Sequence, residues 1–135
     1  MEKKVLLVDD EKTILSVLEQ VLNLEGYVPF ISSDGVEALE IIQEEKIRVC
    51  FLDLRMPAMD GIELCRQVRA VDPDAKVFAL SGFVDSYDEG ELHEVGFSDY
   101  FQKPFNIYEI STACRDSFEA LAKLSSPSDP ETPKK

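Results

Sequence analysis

The amino-acid sequence predicts an α/β protein, a three-layer α/β/α sandwich built on a doubly wound, five-stranded parallel sheet. Short apolar runs alternate along the chain with longer segments whose apolar residues recur at a spacing of three to four. The chain has 135 residues, of which 44% are hydrophobic, enough for the core of one domain. Each crossover between parallel strands places its helix on one face of the sheet or the other, so a three-layer sandwich follows.

The chain begins with a compact apolar strand, Lys4–Val8, that stops at three consecutive acidic residues. Helical periodicity starts at Lys12, and Gly26 is a plausible C-terminal stop. A weaker strand follows over Tyr27–Ile31, and Pro29 within it indicates a position near the edge of the sheet.

The next βα pair carries clearer boundary signals. The polar segment 32–35 supplies an N-cap for a helix that extends to Glu45. Arg48–Leu52 is apolar enough to be a strand buried on both faces. Asp60 can cap the helix after it, which Asp72 and Pro73 end.

The second half of the chain repeats the alternation with one weak element. Ala75–Leu80 predicts strand four, and Asp99–Gln102 predicts a short strand five. Between them, Val84–Val95 has sparse apolar residues and is interrupted by Gly90, so we predict only a weak helix there. Asn106 is a suitable N-cap for a longer last helix.

Composition sets the domain limits and narrows the classes of partner. We expect one domain over residues 1–124, followed by a disordered, polar, Pro-rich tail over residues 125–135. The net charge of −13, from 27 acidic and 14 basic residues, disfavours direct binding to nucleic acid or to an anionic membrane. Magnesium and basic protein surfaces suit this charge better.

The three cysteines indicate the cellular compartment. Cys50, Cys65 and Cys114 are an odd number without a CxxC pair, and each lies in an apolar pattern. We therefore expect reduced core thiols in a cytoplasmic protein. The N-terminal residues 1–4 lead into a run of only four apolar residues before Asp9, so we expect neither a signal peptide nor a membrane-spanning helix.

Polar side chains gather where the predicted strands end. In the five-stranded order 2-1-3-4-5, which is flavodoxin-like, strands one and three are neighbours at the topological switch point. This order brings Asp9, Asp10 and Asp53 together. Ser81 and Lys103, at the ends of strands four and five, border the same crevice.

This set of residues is suited to phosphoryl transfer. Three neighbouring carboxylates require a cation, and Mg²⁺ prefers such oxygen ligands. A carboxylate can act as a nucleophile toward phosphorus, while Lys103 and Ser81 could stabilise the phosphoryl oxygens. From the residues alone, a solvated loop that caps a helix, a surface lysine and a strand-end serine remain open as alternatives.

Four motifs carry a resemblance to a known family over Lys4 to about Leu124. They are VDDE at Val8–Glu11, DLRMPAMDG at Asp53–Gly61, LSG at Leu80–Gly82 and DYFQKPF at Asp99–Phe105. In their order and spacing the chain resembles the receiver domain of response regulators of two-component signalling systems.

The resemblance implies a role for each acidic residue. Asp53 would be the phosphoacceptor, receiving its phosphoryl group from a histidine kinase, a phosphotransfer protein or a small donor such as acetyl phosphate. Asp10 and Asp53 would ligate Mg²⁺, Asp9 would hold the water shell of the metal, and the Arg55 backbone carbonyl would add a ligand.

The resemblance also implies how phosphorylation is detected. Ser81 and Lys103 would contact phosphoryl oxygens, and the bond between Lys103 and Pro104 would be cis. Tyr100 would be the switch aromatic that turns inward as Ser81 moves, although an edge-strand aromatic packed on the sheet is a credible alternative. The output would be a changed binding surface for an unknown protein target.

Two other functions compete with this switch, which we expect not to be an enzyme itself. A small phosphohydrolase acting through an aspartyl phosphate would need a second acid near Asp53, and that position holds Arg55. A nucleotide binder would need glycines after strand one, where the chain has Asp9–Lys12. Arg55 and Phe83 stand where the family varies, and we expect them to tune the phosphoryl lifetime.

Overall fold

A computed structural model of the chain describes residues 2–56, 59–82 and 87–125. Strands and helices alternate through these residues. The elements are β1 (Lys4–Val8), α1 (Lys12–Leu24), β2 (Val28–Ser32), α2 (Gly35–Glu45), β3 (Val49–Asp53), α3 (Gly61–Val71), β4 (Lys76–Ser81), α4 (Glu89–Val95), β5 (Asp99–Gln102) and α5 (Ile107–Ser125).

The five strands form one parallel sheet in the order β2-β1-β3-β4-β5, so the predicted fold class and strand order are confirmed. β2, which contains Pro29, lies at one edge of the sheet as expected. β3 lies in the centre, and all five of its residues are buried. The central position of β3 carries Asp53 to the crevice between β1 and β4.

Two apolar clusters, one on each face of the sheet, hold the layers together. On one face Leu6, Val8 and Leu52 pack with residues of α2, α3 and α4. On the other face Phe51 and its neighbours pack with residues of α1 and α5. The rings of Phe51 and Phe78 stack with their centroids 4.8 Å apart. The three cysteines are buried free thiols, as predicted.

The observed strands differ from the predicted ones by a single residue in three cases. β2, β3 and β4 each begin and end one residue later, so that they include Ser32, Asp53 and Ser81. Parallel pairing explains the shift, because Ser32 is paired with Val8, Asp53 with Leu80, and Ser81 with Gln102. The polar residues therefore belong to the strand ends and share the rigidity of the sheet.

The predicted helix caps are confirmed at three positions. The Asp34 carboxylate accepts hydrogen bonds from two backbone N–H groups at the start of α2. The Asp60 carboxylate accepts one from Glu63 at the start of α3. The Asn106 side chain accepts one from Tyr108 at 2.8 Å at the start of α5.

The helix predicted over Val84–Val95 was wrong in its start, because α4 begins at Glu89. A capping box defines this start: the Asp88 carboxylate accepts a hydrogen bond from the Glu91 N–H, and the Glu91 carboxylate accepts one from the Asp88 N–H. Gly90 therefore lies in the first turn, where it interrupts nothing. The predictions for residues 83–86, including Phe83, lie outside the described residues, as does the tail predicted over residues 125–135 except for Ser125, which is the last residue of α5.

Arg69 of α3 ties the C-terminal end of α4 to the rest of the domain. Its guanidinium donates hydrogen bonds to the carbonyl oxygens of Pro73 at 2.7 Å, Ala75 at 2.6 Å and Gly96 at 2.6 Å. Gly96 follows α4 with a φ of 124°, a conformation that favours glycine. One side chain thus joins the ends of two helices to the start of β4.

Two glycines allow backbone segments to approach each other beside the end of β3. A Cβ atom at Gly61, the first residue of α3, would overlap the Asp53 carbonyl oxygen. A Cβ atom at Gly35, the first residue of α2, would overlap the Met59 carbonyl oxygen. Both helices therefore begin in direct contact with the strand end or with the loop that follows it.

Candidate functional site

The ends of β1 and β3 bring three carboxylates together. One oxygen from each of Asp9, Asp10 and Asp53 lies within 4.8 Å of the others. Asp9 is fully buried, Asp53 is 5% exposed, and Asp10 is exposed. The convergence predicted from the strand order is thereby confirmed.

Lys103 lies over this cluster and contacts two of its members. Its Nζ atom is 2.7 Å from Asp9 Oδ2 and 3.5 Å from Asp53 Oδ2. Burial lowers the pKa of Lys103, but its interactions with Asp9, and then with Asp53 and Glu11, outweigh burial and leave that pKa raised. The lysine therefore supplies a permanent positive charge at the site.

Backbone amides orient the acidic side chains. The Arg55 N–H donates a hydrogen bond to Asp53 Oδ1 at 3.0 Å, and the Glu11 N–H donates one to Asp9 Oδ1 at 2.9 Å. Both acceptors lie two residues before their donors, so each loop folds back onto its own strand end. These bonds hold the outer oxygens, Oδ2, toward Lys103.

The pKa of Asp53 is raised from an ordinary value of 3.8 to about 6. Burial is the largest cause, and the charges of Asp9 and Asp10 act in the same direction. The Arg55 N–H and the Lys103 ammonium oppose the rise. At neutral pH Asp53 is thus ionised but poorly solvated, which suits a nucleophile.

The residues present fit a bound divalent cation. Asp9 Oδ2 is buried and, although it lies 2.7 Å from Lys103 Nζ, it has no hydrogen bond of good geometry. A hard cation with its water shell would give this buried oxygen further partners in addition to the Lys103 ammonium. Asp9, Asp10 and Asp53 are the group of carboxylates that could hold such an ion within the described ranges.

The ends of β4 and β5 complete the crevice. Ser81 lies at the end of β4, is only 9% exposed, and its carbonyl oxygen accepts a hydrogen bond from the Lys103 N–H at 2.8 Å. The Lys103–Pro104 peptide bond is cis, as the resemblance implied. Tyr100 is 36% exposed, on β5 opposite Ala79 of β4, so its ring is partly accessible in this structure.

Two residues of the site were not predicted by sequence reasoning. The Glu11 carboxylate lies 3.4 Å from Lys103 Nζ, although the sequence indicated only that it continues an acidic triplet. The close approach of Gly61 to the Asp53 carbonyl was also not predicted. His93 is exposed on α4. Within the described part of the chain no helix is long and apolar enough to cross a membrane.

Comparison with known proteins agrees with this geometry. The family model of the response regulator receiver domain matches residues 5–115. The chain is 35% identical to the sporulation initiation phosphotransferase F of Bacillus subtilis over 115 residues, which are 85% of this chain and 93% of that protein. It is 37% identical to the alkaline phosphatase synthesis transcriptional regulatory protein PhoP of the same organism over 82% of this chain, but spans only 46% of that longer protein.

A solved structure is also similar. The CheY-like response regulator receiver domain protein of Methanospirillum hungatei is 26% identical and superposes with a TM-score of 0.85, over 92% of this chain and 99% of that one. The sheet order, the carboxylates at the ends of β1 and β3 and these matches agree, and the chain belongs to the response regulator receiver domain family of two-component signalling.

Proposed function

We propose that this chain is a phosphorylation-controlled switch in which Asp53 accepts a phosphoryl group in a Mg²⁺-dependent reaction. The observation that carries the proposal is the Asp53 carboxylate itself, nearly buried, beside Asp9 and Asp10 and 3.5 Å from Lys103 Nζ. This arrangement offers a nucleophile, a cation-binding cluster and a positive charge within one crevice.

The transfer follows from the geometry of Asp53. Its Oδ1 is held by the Arg55 N–H, which leaves Oδ2, the oxygen nearest to Lys103, to attack phosphorus. An oxygen–phosphorus bond forms to Asp53 as the bond from phosphorus to the donor breaks, and the electron pair leaves with the donor. Lys103 and the Ser81 hydroxyl would then hold the phosphoryl oxygens.

Asp9, Asp10, Asp53 and the Arg55 carbonyl would hold Mg²⁺. When bound, the ion would offset the negative charge that the carboxylates and the phosphoryl group share. Asp10 is the exposed member of the cluster, so the ion would enter from its side.

The switch would act through β4 and β5. Ser81 and Lys103 are joined by a backbone hydrogen bond, so a pull on either side chain is transmitted to both strand ends. Tyr100, partly exposed on β5, is the aromatic that would turn inward as Ser81 moves toward the phosphoryl group. The changed surface would then bind a downstream protein target.

The donor would be a histidine kinase or a phosphotransfer protein, with a small donor such as acetyl phosphate as a substitute. A phosphohydrolase function is less favoured, because the residue two positions after Asp53 is Arg55 instead of an acid. We also propose that the domain comprises residues 1–124 before a polar tail, and that the buried free thiols reflect a cytoplasmic location.

Intact mass spectrometry tests the proposal. The protein is incubated with acetyl phosphate and Mg²⁺, alongside Asp53→Asn and a sample in which EDTA replaces Mg²⁺. We expect the wild type to gain one phosphoryl group that both controls lack. Equal incorporation by Asp53→Asn would contradict the choice of acceptor, and no incorporation from any donor would overturn the function.

A further inference from the structure

Three carboxylates contact the Lys103 ammonium, and one of them does not belong to the group that could hold a metal ion. Nζ is 2.7 Å from Asp9 Oδ2, 3.5 Å from Asp53 Oδ2 and 3.4 Å from Glu11 Oε1. Asp9 and Asp53 belong to the group that could hold a metal ion, whereas Glu11 does not. The contact from Glu11 therefore needs an explanation of its own.

Glu11 occupies a position from which its side chain could have capped a helix. It is the N-cap residue of α1, yet its side chain makes no cap hydrogen bond. Its N–H is fixed by Asp9 Oδ1 at 2.9 Å, and its carboxylate extends to Lys103 instead. The Glu11 side chain is 58% exposed and that of Lys103 is 16% exposed, so Glu11 covers the solvent side of the ammonium.

We propose that Glu11 is a positioning residue that holds Lys103 in its resting place and thereby slows the capture of a phosphoryl group by Asp53. This inference rests on the proposed function. Transfer needs the ammonium to turn toward the incoming oxygens, and the Glu11 contact must weaken for that turn. The Glu11 charge also repels an anionic donor that approaches the crevice.

The step on which Glu11 acts is balanced without any further reactant. With acetyl phosphate, Asp53 Oδ2 forms a bond to phosphorus, the bond between phosphorus and the acetate oxygen breaks, and acetate departs with the electron pair. Glu11 neither gains nor loses a proton in this step. Its influence is confined to the place that Lys103 occupies while charge develops on the phosphoryl oxygens.

Three variants separate the contact from the charge. Glu11→Gln removes the charge and the ion pair. Glu11→Asp keeps the charge on a side chain one methylene shorter, which withdraws it from Lys103. Glu40→Gln changes the net charge of the protein by the same amount at an exposed position on α2.

The experiment measures the second-order rate constant of phosphorylation by acetyl phosphate in saturating Mg²⁺. We expect Glu11→Gln to raise it by about two- to five-fold, the range typical of a partly exposed ion pair. Glu11→Asp should give a rise in the same direction, and Glu40→Gln should match the wild type. The affinity for beryllofluoride, a tetrahedral analogue of the phosphoryl group, should rise in parallel in both Glu11 variants.

Each outcome decides the matter. If Glu11→Gln is phosphorylated at the wild-type rate, the positioning role of Glu11 is overturned. The same holds if Glu11→Gln is faster but Glu11→Asp has the wild-type rate, because the charge and not the contact with Lys103 would then set the rate. An equal rise in Glu40→Gln would reduce the effect to overall charge and would also overturn it. A wild-type protein that takes up no phosphoryl group would instead overturn the proposed function, so the two failures are distinguishable.

Discussion

Asp53 is destabilising in its ionised form, and this gives the protein a defined dependence of stability on pH. The unfolded carboxyl titrates near 3.8 and the folded one at about 6. Below pH 3.8 the Asp53 carboxyl is protonated in both the folded and the unfolded state, so it does not change the free energy of unfolding. Above the upper value both are ionised, and burial penalises the folded state, so stability falls as the pH rises through this window.

Asp53→Asn should therefore stabilise the metal-free protein at pH 7.5 by up to about 3 kcal/mol, because a neutral amide avoids the penalty. The gain should shrink to near zero at about pH 4. Urea denaturation in EDTA, followed by circular dichroism at several pH values, measures it. A stability difference that does not vary with pH would contradict the raised pKa.

At the same scale, sequence reasoning found the residues whose position follows from the strand order. Asp9, Asp10 and Asp53 end neighbouring strands, so the sheet alone brings them together. The contact between Glu11 and Lys103 spans 92 residues of sequence and depends on two side chains that meet above the strand ends. No periodicity or motif predicts such a meeting, because it is decided by loop geometry.

The start of α3 lies in close contact with the end of β3, which carries Asp53, and a single added methyl group tests this contact. Gly61→Ala places a Cβ atom where the Asp53 carbonyl oxygen lies, so the helix or the strand end must shift. We expect the free energy of unfolding to fall by about 1 to 3 kcal/mol. Because Asp53 is displaced, phosphorylation by acetyl phosphate should slow by roughly ten-fold or more.

Gly90→Ala is the matched control, since the nearest atom to its added Cβ would be Asp88 Oδ1 at an ordinary 3.4 Å. On propensity alone it should leave α4 unchanged or stabilise it by up to about 1 kcal/mol. If Gly61→Ala and Gly90→Ala have the same stability and the same phosphorylation rate, the close approach at Gly61 affects neither the stability nor the phosphorylation of the protein.

The elements themselves were predictable wherever a local signal sets their limits. The caps at Asp34, Asp60 and Asn106 could be predicted from residue type and position. The start of α4 was not predicted although Asp88 and Glu91 stand at capping-box spacing, because the sparse apolar residues of this segment give no periodic signal that marks where the helix begins. The ends of β2, β3 and β4 were each placed one residue short, since pairing with a neighbour extends a strand beyond its apolar run.

At the scale of the whole molecule, α4 is the element, among those that the structure describes, that we expect to respond to the proposed phosphorylation. It is seven residues long, and Leu92 is its one fully buried side chain. Arg69 fixes its far end through the Gly96 carbonyl, so movement is expected at the end nearer the site. We predict that phosphorylation, or beryllofluoride with Mg²⁺, changes amide hydrogen exchange in residues 87–95.

Hydrogen exchange measured by mass spectrometry or NMR checks this prediction, with the central amides of α1 as the internal reference. Arg69→Met should speed exchange in α4 even without phosphorylation, because three carbonyl contacts are lost. Arg66→Met, at an exposed position of the same helix, is its control. Exchange that is unchanged in α4 but altered elsewhere would count against α4 as the responsive element.

The architecture as a whole was predictable because it follows from two features that α/β proteins share, the alternation of strands with helices and the handedness of the crossovers. Apolar runs such as Lys4–Val8 alternate with amphipathic segments, and right-handed crossovers then restrict the strand order. These features do not predict how closely the helices pack against the sheet. The contacts at Gly35, Gly61 and Arg69 depend on where each helix lies on the sheet, to within a fraction of an ångström.

The contact between Gly35 and Met59 has a directional consequence for the loop after Asp53. The first residue of α2 abuts the Met59 carbonyl so closely that there is no room for even one added carbon atom. A shift of Met59 toward α2 is therefore blocked by Gly35, so the Met59 backbone has room to move only on the side away from this contact. The start of α2, a helix that carries none of the proposed site residues, thus limits the positions that Met59 can take beside the end of β3.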